Sequence, residues 1–342
     1  MPHERQADPA PGVSEQTRAL KKARQIVGIA ERIDEERREQ LWTDALTCVR
    51  DVALACLPRS PTKAKEIKKT ITYAPGCEVT VTYSVAGDAQ MPYGSDRYVL
   101  FGIQHLARLQ DSPLVKFEKA GELLDLFGFE DGGQNYRQLR QRFDRLKSLN
   151  IEIETQGSAV LNARTKVGLG TRLIEAWALP TRSEIEAERN GQTSLLPADD
   201  EQHYVRLSES LFRRLQKGSE DENILLLRLD LLRLFTRNPR GWDFCVFLCH
   251  RCGSAKRTSV VPHSFLMEFF KNGPSEADKD TIRALKKIHK QIMEATNGAL
   301  RSEFVVVGLD RSGGRRPKKV WGLKVHPSKS VVLDGAKQFL PE

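Results

Sequence analysis

The strongest constraint on the fold is an order of hydrophobic patterns that occurs twice in the 342 residues. In the first stretch, helical spacing predicts helices over 98–109, 117–127 and 134–149, and apolar alternation predicts strands between 151 and 177. In the second stretch, the predicted helices cover 223–235, 242–252, 264–270 and 275–297, followed by strands over 304–308 and 320–325. Helices followed by a β-hairpin are the order of a winged helix. The sequence therefore predicts an α+β fold with tandem winged-helix domains.

The remaining segments set the predicted domain boundaries. Residues 14–57 are interpreted as helix, because apolar residues from Leu41 to Cys56 recur at steps of three and four. This apolar stripe would need a covering surface, so it is our candidate for self-association or for contacts with host proteins. We expect an N-terminal helical extension (1–60), a first winged-helix domain (61–180), a polar linker (181–202), a second winged-helix domain (203–328) and a C-terminal tail (329–342).

Composition favours a soluble, cytoplasmic protein. No apolar run approaches the roughly 20 residues that span a bilayer, and six cysteines are too few in a chain of this length for a disulfide framework. Lysine and arginine number 54 against 45 acidic residues, which gives a net charge of +9. Because this excess is modest, the placement of the basic residues must indicate the function.

One predicted helix, 134–149, has a polar face that is rich in arginine and glutamine. These side chains can make paired hydrogen bonds to guanine and to adenine, respectively. The predicted DNA contacts of this helix are Gln134, Arg137, Gln138, Gln141 and Arg145, flanked by Arg140, Arg142 and Lys147 toward the phosphates. An ordinary solvated face is the alternative. Such a face usually mixes charges, however, whereas this helix opposes five basic residues with Asp144 alone.

The second predicted domain repeats this arrangement with more lysine. The predicted DNA contacts on helix 275–297 are Lys279, Arg283, Lys286, Lys287 and Lys290. The hairpin that follows adds the basic residues Arg311, Arg315, Arg316, Lys318 and Lys319. Lysine is better suited to phosphates than to bases, so Arg283 and Gln291 are the better base-reading candidates. A basic hairpin tip could enter a groove as a wing, and a solvated loop is the alternative.

No motif in the sequence predicts an enzyme. Cys245, Cys249 and Cys252 have the spacing that holds an iron–sulfur cluster in radical S-adenosylmethionine enzymes. Those enzymes usually have an aromatic residue just before the last cysteine, where this chain has Arg251. Since the segment is also an apolar helix, we interpret the cysteines as core residues. No phosphate-binding loop occurs, and we expect no catalytic residues, no metal and no cofactor.

A series of short motifs between residues 90 and 180 resembles the plasmid-encoded RepA-type replication initiators. The turn Met91-Pro92-Tyr93-Gly94 precedes an apolar helix, and Gly132-Gly133 opens an arginine-rich helix that ends in Arg145-Leu146. That family usually has a Pro-Arg pair after the turn, where this chain has Asp96-Arg97.

The resemblance implies a sequence-specific initiator that binds repeated sites (iterons) in double-stranded DNA at a plasmid-type origin. It also implies recruitment of the host helicase and initiator proteins, repression of its own gene, and a homodimer alongside an active monomer. A winged-helix transcriptional regulator is the alternative function, because it would use the same helices.

Overall fold

A computed structural model of the protein describes residues 21–27, 29, 45–74, 77–117, 121–129, 133–156, 167–178, 203–217, 224–273, 275–310 and 318–328. Residues 21–27 and 29 are helical and are called the N-terminal segment below. The further helices are α1 (Arg50–Ala55), α2 (Asp96–Leu109), α3 (Gly121–Leu126), α4 (Gly133–Lys147), α5 (Glu209–Lys217), α6 (Leu229–Arg233), α7 (Pro239–Ser254), α8 (His263–Phe270) and α9 (Asp278–Ala295).

The described strands form four small antiparallel sheets, so the fold is a mixture of α and β, as predicted. The strands are β1 (Ala45–Val49), β2 (Glu66–Ala74), β3 (Cys77–Val85), β4 (Leu114–Phe117), β5 (Leu149–Gln156), β6 (Val167–Arg172), β7 (Ile174–Ala178), β8 (His203–Leu207), β9 (Ile224–Arg228), β10 (Ser259–Val261), β11 (Ser302–Asp310) and β12 (Lys318–Val325). They pair in the orders β2-β3-β5-β6, β4-β8-β7, β1-β9 and β10-β12-β11.

The two stretches share one hydrophobic core rather than forming two separate ones. Its centre lies where α2 meets α7. The Tyr98 ring on α2 lies 4.4 Å from the Trp242 ring on α7, and Phe101 stacks on the same indole. Trp242 and Tyr98 are both completely buried, and burial of rings this large contributes strongly to stability. The helices of the first stretch are therefore held directly against those of the second.

The helix predicted over 14–57 is only partly correct. Residues 45–49 form strand β1, which pairs with β9, and the helix that follows spans only Arg50–Ala55. Leu46 and Cys48 are fully buried by this pairing. The described part of the apolar stripe is thus covered by the chain itself, and our predicted surface for self-association or host proteins is wrong for residues 46–56. Residues 30–44 lie outside the described part of the chain.

A second correction concerns the helix predicted over 223–235. Residues Ile224–Arg228 are strand β9, and the helix is limited to Leu229–Arg233. A run of leucines has no periodicity that separates a strand from a buried helix. The partner strand β1 lies far away in the sequence and decides the conformation.

Strand β8 joins the regions on either side of the predicted linker. It lies between β4 and β7, so residues 203–207 complete a sheet of the first stretch. The division into domains stays a prediction. Residues 181–202 and 329–342, assigned to the linker and the tail, lie outside the described residues.

Candidate nucleic-acid interface

Helix α4 presents a polar face while its other side is buried in the core. Leu139, Phe143 and Leu146 have no exposed surface. Gln134, Arg137 and Gln141 lie on the outer side and are exposed. Three of the predicted base-reading side chains are therefore displayed together on one helix face.

Arg145 is held by an acidic residue instead of facing solvent. Its Nε and Nη2 atoms each donate a hydrogen bond of 2.7 Å to the carboxylate of Asp96, which is 1% exposed. Burial is the largest influence on the pKa of Arg145 and lowers it, but the hydrogen bonds and charge of Asp96 outweigh burial and raise the pKa. We therefore correct the prediction for Arg145, because this geometry anchors α4 to the start of α2 and leaves the guanidinium unsuited to reading a base.

Two neighbouring arginines of α4 are also engaged with protein groups. Arg142 is buried, lies over the Phe129 ring and donates to Gln138 at 3.3 Å. Arg140 lies over the indole of Trp177, 5.9 Å from the ring centroid. The phosphate contact predicted for Arg142 is therefore wrong. Lys147, which was predicted to contact phosphates as well, is exposed, and its contact stays a prediction.

Helix α9 displays the larger basic face. Its buried side is formed by Ile282, Leu285, Ile288 and Ile292, as the hydrophobic spacing predicts. The exposed basic residues are Lys279, Arg283, Lys287 and Lys290. Arg283 pairs with Asp280 at 3.1 Å and Lys290 with Glu294 at 3.6 Å. Exposed pairs of this kind are weak, typically below about 1 kcal/mol, so a phosphate could displace the carboxylates.

Lys286 joins the basic face of α9 to the adjacent hairpin. Its ammonium group lies over the Trp321 ring of β12. Burial lowers the pKa of Lys286, and the positive charge of Lys319 lowers it further. Helix and hairpin thus bring two predicted contacts, Lys286 and Lys319, close to each other. Arg311, Arg315 and Arg316 lie outside the described residues, as does the side chain of Lys318.

Two clefts adjoin helices α4 and α9. A cleft of about 1010 Å³ lies between the N-terminal segment and α9, where Lys22, Lys287 and Gln291 line it. A second, of about 450 Å³, is lined by Asn135 and Gln138 of α4. Pro239 at the start of α7 lines both. The two basic helices therefore border neighbouring clefts of one molecule.

The cysteines of α7 lie in the core, in agreement with their interpretation as structural residues. Cys245, Cys249 and Cys252 are at most 1% exposed. Burial raises the pKa of the Cys252 thiol to about 12, so it stays protonated at neutral pH. Among the residues that the structure describes, no group of three or more potential ligands could hold a metal, and no helix is long and apolar enough to cross a membrane.

The residues that position the basic helices were not identified from the sequence. Asp96, Asp243 and Trp177 hold arginines in place, yet no local pattern distinguishes them. The sequence contained one indication that Asp96 has such a role. Asp96 stands where the resembling family usually has proline, directly before Arg97, and both side chains are 1% exposed in ion pairs.

The solved structures that match this chain include two crystal structures of domains 2 and 3 of RctB. One, of selenomethionine derivatives, is 13% identical, with a TM-score of 0.49, and the match covers 80% of this chain and 94% of that one. The other is 11% identical, with a TM-score of 0.43, and covers 81% and 96%. Similarity at this level carries no assignment of family or function. No protein-family model and no curated protein matches the chain.

Proposed function

We propose that this protein is a sequence-specific double-stranded DNA-binding replication initiator, built on tandem winged-helix domains and without enzymatic activity. The single observation that carries DNA binding is the exposed basic face of α9 beside the hairpin residue Lys319. Positive charge gathered on one helix and its adjacent hairpin is what a phosphate backbone attracts.

The order of elements supports a winged helix in the second half. Helix α7 is followed by β10, α8, α9, β11 and β12, and β10 pairs with β12. In such a domain the third helix enters the major groove, and the hairpin reaches a neighbouring groove or the backbone. Here the third helix is α9 and the hairpin is β11–β12.

The order of elements in the first half supports a similar domain, whose third helix exposes arginine and glutamine more than lysine. In the order α2, β4, α3, α4, β5 and β6, helix α4 would be the third helix of such a domain. We assign base reading to Arg137, Gln134 and Gln141, which are exposed on this helix. Lys279, Lys287 and Lys290 on α9 contact phosphates in this proposal, and the exposed Arg283 on the same helix reads bases.

The initiator role rests on the RepA-type motifs between residues 90 and 180. Under this proposal the protein binds repeated sites at a plasmid-type origin, recruits the host helicase and initiator, and represses its own gene. It forms a homodimer alongside an active monomer, and the two forms serve different tasks. A winged-helix regulator remains the second candidate, since the same helices would serve it.

Two experiments test the proposal in sequence. Footprinting with the full chain on DNA that flanks its gene should protect a set of repeats, and loss of protection on scrambled repeats establishes specificity. A DNA circle with the gene and these repeats, but no other origin, should then yield transformants. Protection without transformants, together with silencing of its own promoter, favours the regulator. No specific protection on any flanking DNA contradicts both.

A further inference from the structure

A chain of buried ion pairs connects α4 to α7 through the start of α2. Asp96 accepts two hydrogen bonds from Arg145 of α4. The next residue, Arg97, is 1% exposed and forms an ion pair with Asp243 of α7. Arg97 also donates to the carbonyl of Gly94 at 2.7 Å and to that of Leu57 at 2.9 Å. Two successive residues therefore link α4 to α7.

The same acidic residue of α7 connects onward to the helix that precedes α9. Asp243 is 2% exposed and accepts a hydrogen bond of 3.0 Å from Arg59. The Arg59 guanidinium also donates to the carbonyls of Phe269 and Lys271, at the end of α8. Asp243 thus lies between two arginines that contact different parts of the molecule.

A further pair joins α7 to the start of α9. Arg240 in the first turn of α7 donates to both carboxylate oxygens of Glu276, at 2.9 and 2.8 Å. Glu276 also accepts a hydrogen bond of 2.7 Å from the backbone N–H of Asn272. It lies two residues before α9 begins at Asp278. The contacts therefore run from α4 through α2 and α7 to α9.

Buried ion pairs of this kind specify one arrangement more than they add stability. A buried carboxylate that loses its partner is left with an uncompensated charge, which strongly disfavours that arrangement. Any shift of α4 relative to α9 would separate at least one of these pairs. The aromatic contact of Tyr98 with Trp242 lies at the same junction and resists the same shift.

We propose that Asp96 and Asp243 are positioning residues that hold the two DNA-binding helices at one separation. The protein would then accept its two half-sites, the bases contacted by α4 and those contacted by α9, at a single spacing. This inference rests on the proposed DNA binding by α4 and α9. One added base pair moves the half-sites apart by about 3.4 Å and rotates them by about 34°, since a turn has about 10.5 base pairs. A rigid pair of helices cannot follow such a change.

The test measures binding of the full chain to DNAs in which zero, one, two or five base pairs are inserted between the half-sites. For the natural protein we expect about a tenfold loss of affinity or more on a single insertion. Asp243→Asn should reduce this discrimination to about threefold or less, while its affinity for each isolated half-site changes by less than about threefold.

Two further variants make the outcome decisive. Glu209→Gln removes an exposed ion pair with Arg213 and should keep the natural spacing profile. Arg97→Gln combined with Asp243→Asn removes both charges of the ion pair together. This double variant replaces Asp243→Asn in the spacing test if the single variant does not fold. A variant that folds and keeps strict spacing overturns the proposal. So does a natural protein that binds both half-sites specifically at every spacing, in which case the proposed function stands. Absence of specific binding by the natural protein would instead overturn the proposed function.

Discussion

Lys69 illustrates at the scale of a residue how a partly buried position tolerates charge. Its ammonium group donates to the Cys56 carbonyl at 2.9 Å and lies over the Phe269 ring. Its pKa is lowered from 10.5 to about 8, chiefly by burial; the neighbouring cations Arg59 and Arg97 act in the same direction, whereas Cys56 and Glu268 oppose the shift. The folded protein therefore holds a proton on Lys69 less tightly than the unfolded chain does.

This shift predicts the direction in which stability depends on pH. Between about pH 8 and 10.5 the unfolded chain binds more protons at this site, so the free energy of unfolding rises with pH across that window. Across this window the titration of Lys69 raises the free energy of unfolding by about 3 kcal/mol in total. Urea unfolding should show Lys69→Met more stable than the natural protein at pH 7.5, by a margin that shrinks toward pH 9.5. A margin independent of pH would contradict the assignment.

The exposed side chains of α4 and of the hairpin predict different binding defects. Arg137→Ala and Gln141→Ala should each relax the preference at one base pair and cost about 1–3 kcal/mol of binding free energy. Lys319→Ala should weaken binding equally on all sequences and reduce the salt slope by about one. Binding to a library of single-base variants measures both. Identical behaviour of helix and hairpin variants would contradict the division of roles.

At the scale of elements, strand β1 is an internal part of the fold. Leu46 is completely buried in the pair that β1 forms with β9. Leu46→Ala should therefore lower the free energy of unfolding by about 2–5 kcal/mol. Leu109→Ala is the matched control, since Leu109 is 67% exposed and its truncation should cost less than about 0.5 kcal/mol. Equal effects in thermal unfolding would show that β1 does not pack as described.

For the whole molecule, the charge distribution predicts a strong dependence of DNA affinity on salt. If roughly 6 to 10 phosphates are contacted, affinity should fall by about 10³- to 10⁵-fold between 50 and 200 mM salt, because bound counterions are released. Fluorescence anisotropy with a labelled site measures this slope. An affinity unchanged over that range would argue against contacts by α9 and its hairpin.

The sequence by itself determined the amphipathic elements and their charge. Helices α2, α4, α7 and α9 each lie within a few residues of their predicted bounds. In α4 and α9, apolar residues at steps of three and four bury one face, whereas α2 and α7 are apolar helices that are buried on nearly all sides. The exposed face of α9 follows from the same periodicity. The mixed α and β class also follows from such local patterns.

Only the tertiary structure decided which elements have their partners far away in the chain. Strand β1 was predicted as helix, yet its Cys48 thiol donates to the carbonyl of Leu225, 177 residues later. Arg145 looked like its exposed neighbours on α4, but Asp96, 49 residues earlier, holds it. Periodicity reports which face of an element is buried. It does not report which backbone or carboxylate will lie beside that face, because such contacts are set by long-range packing.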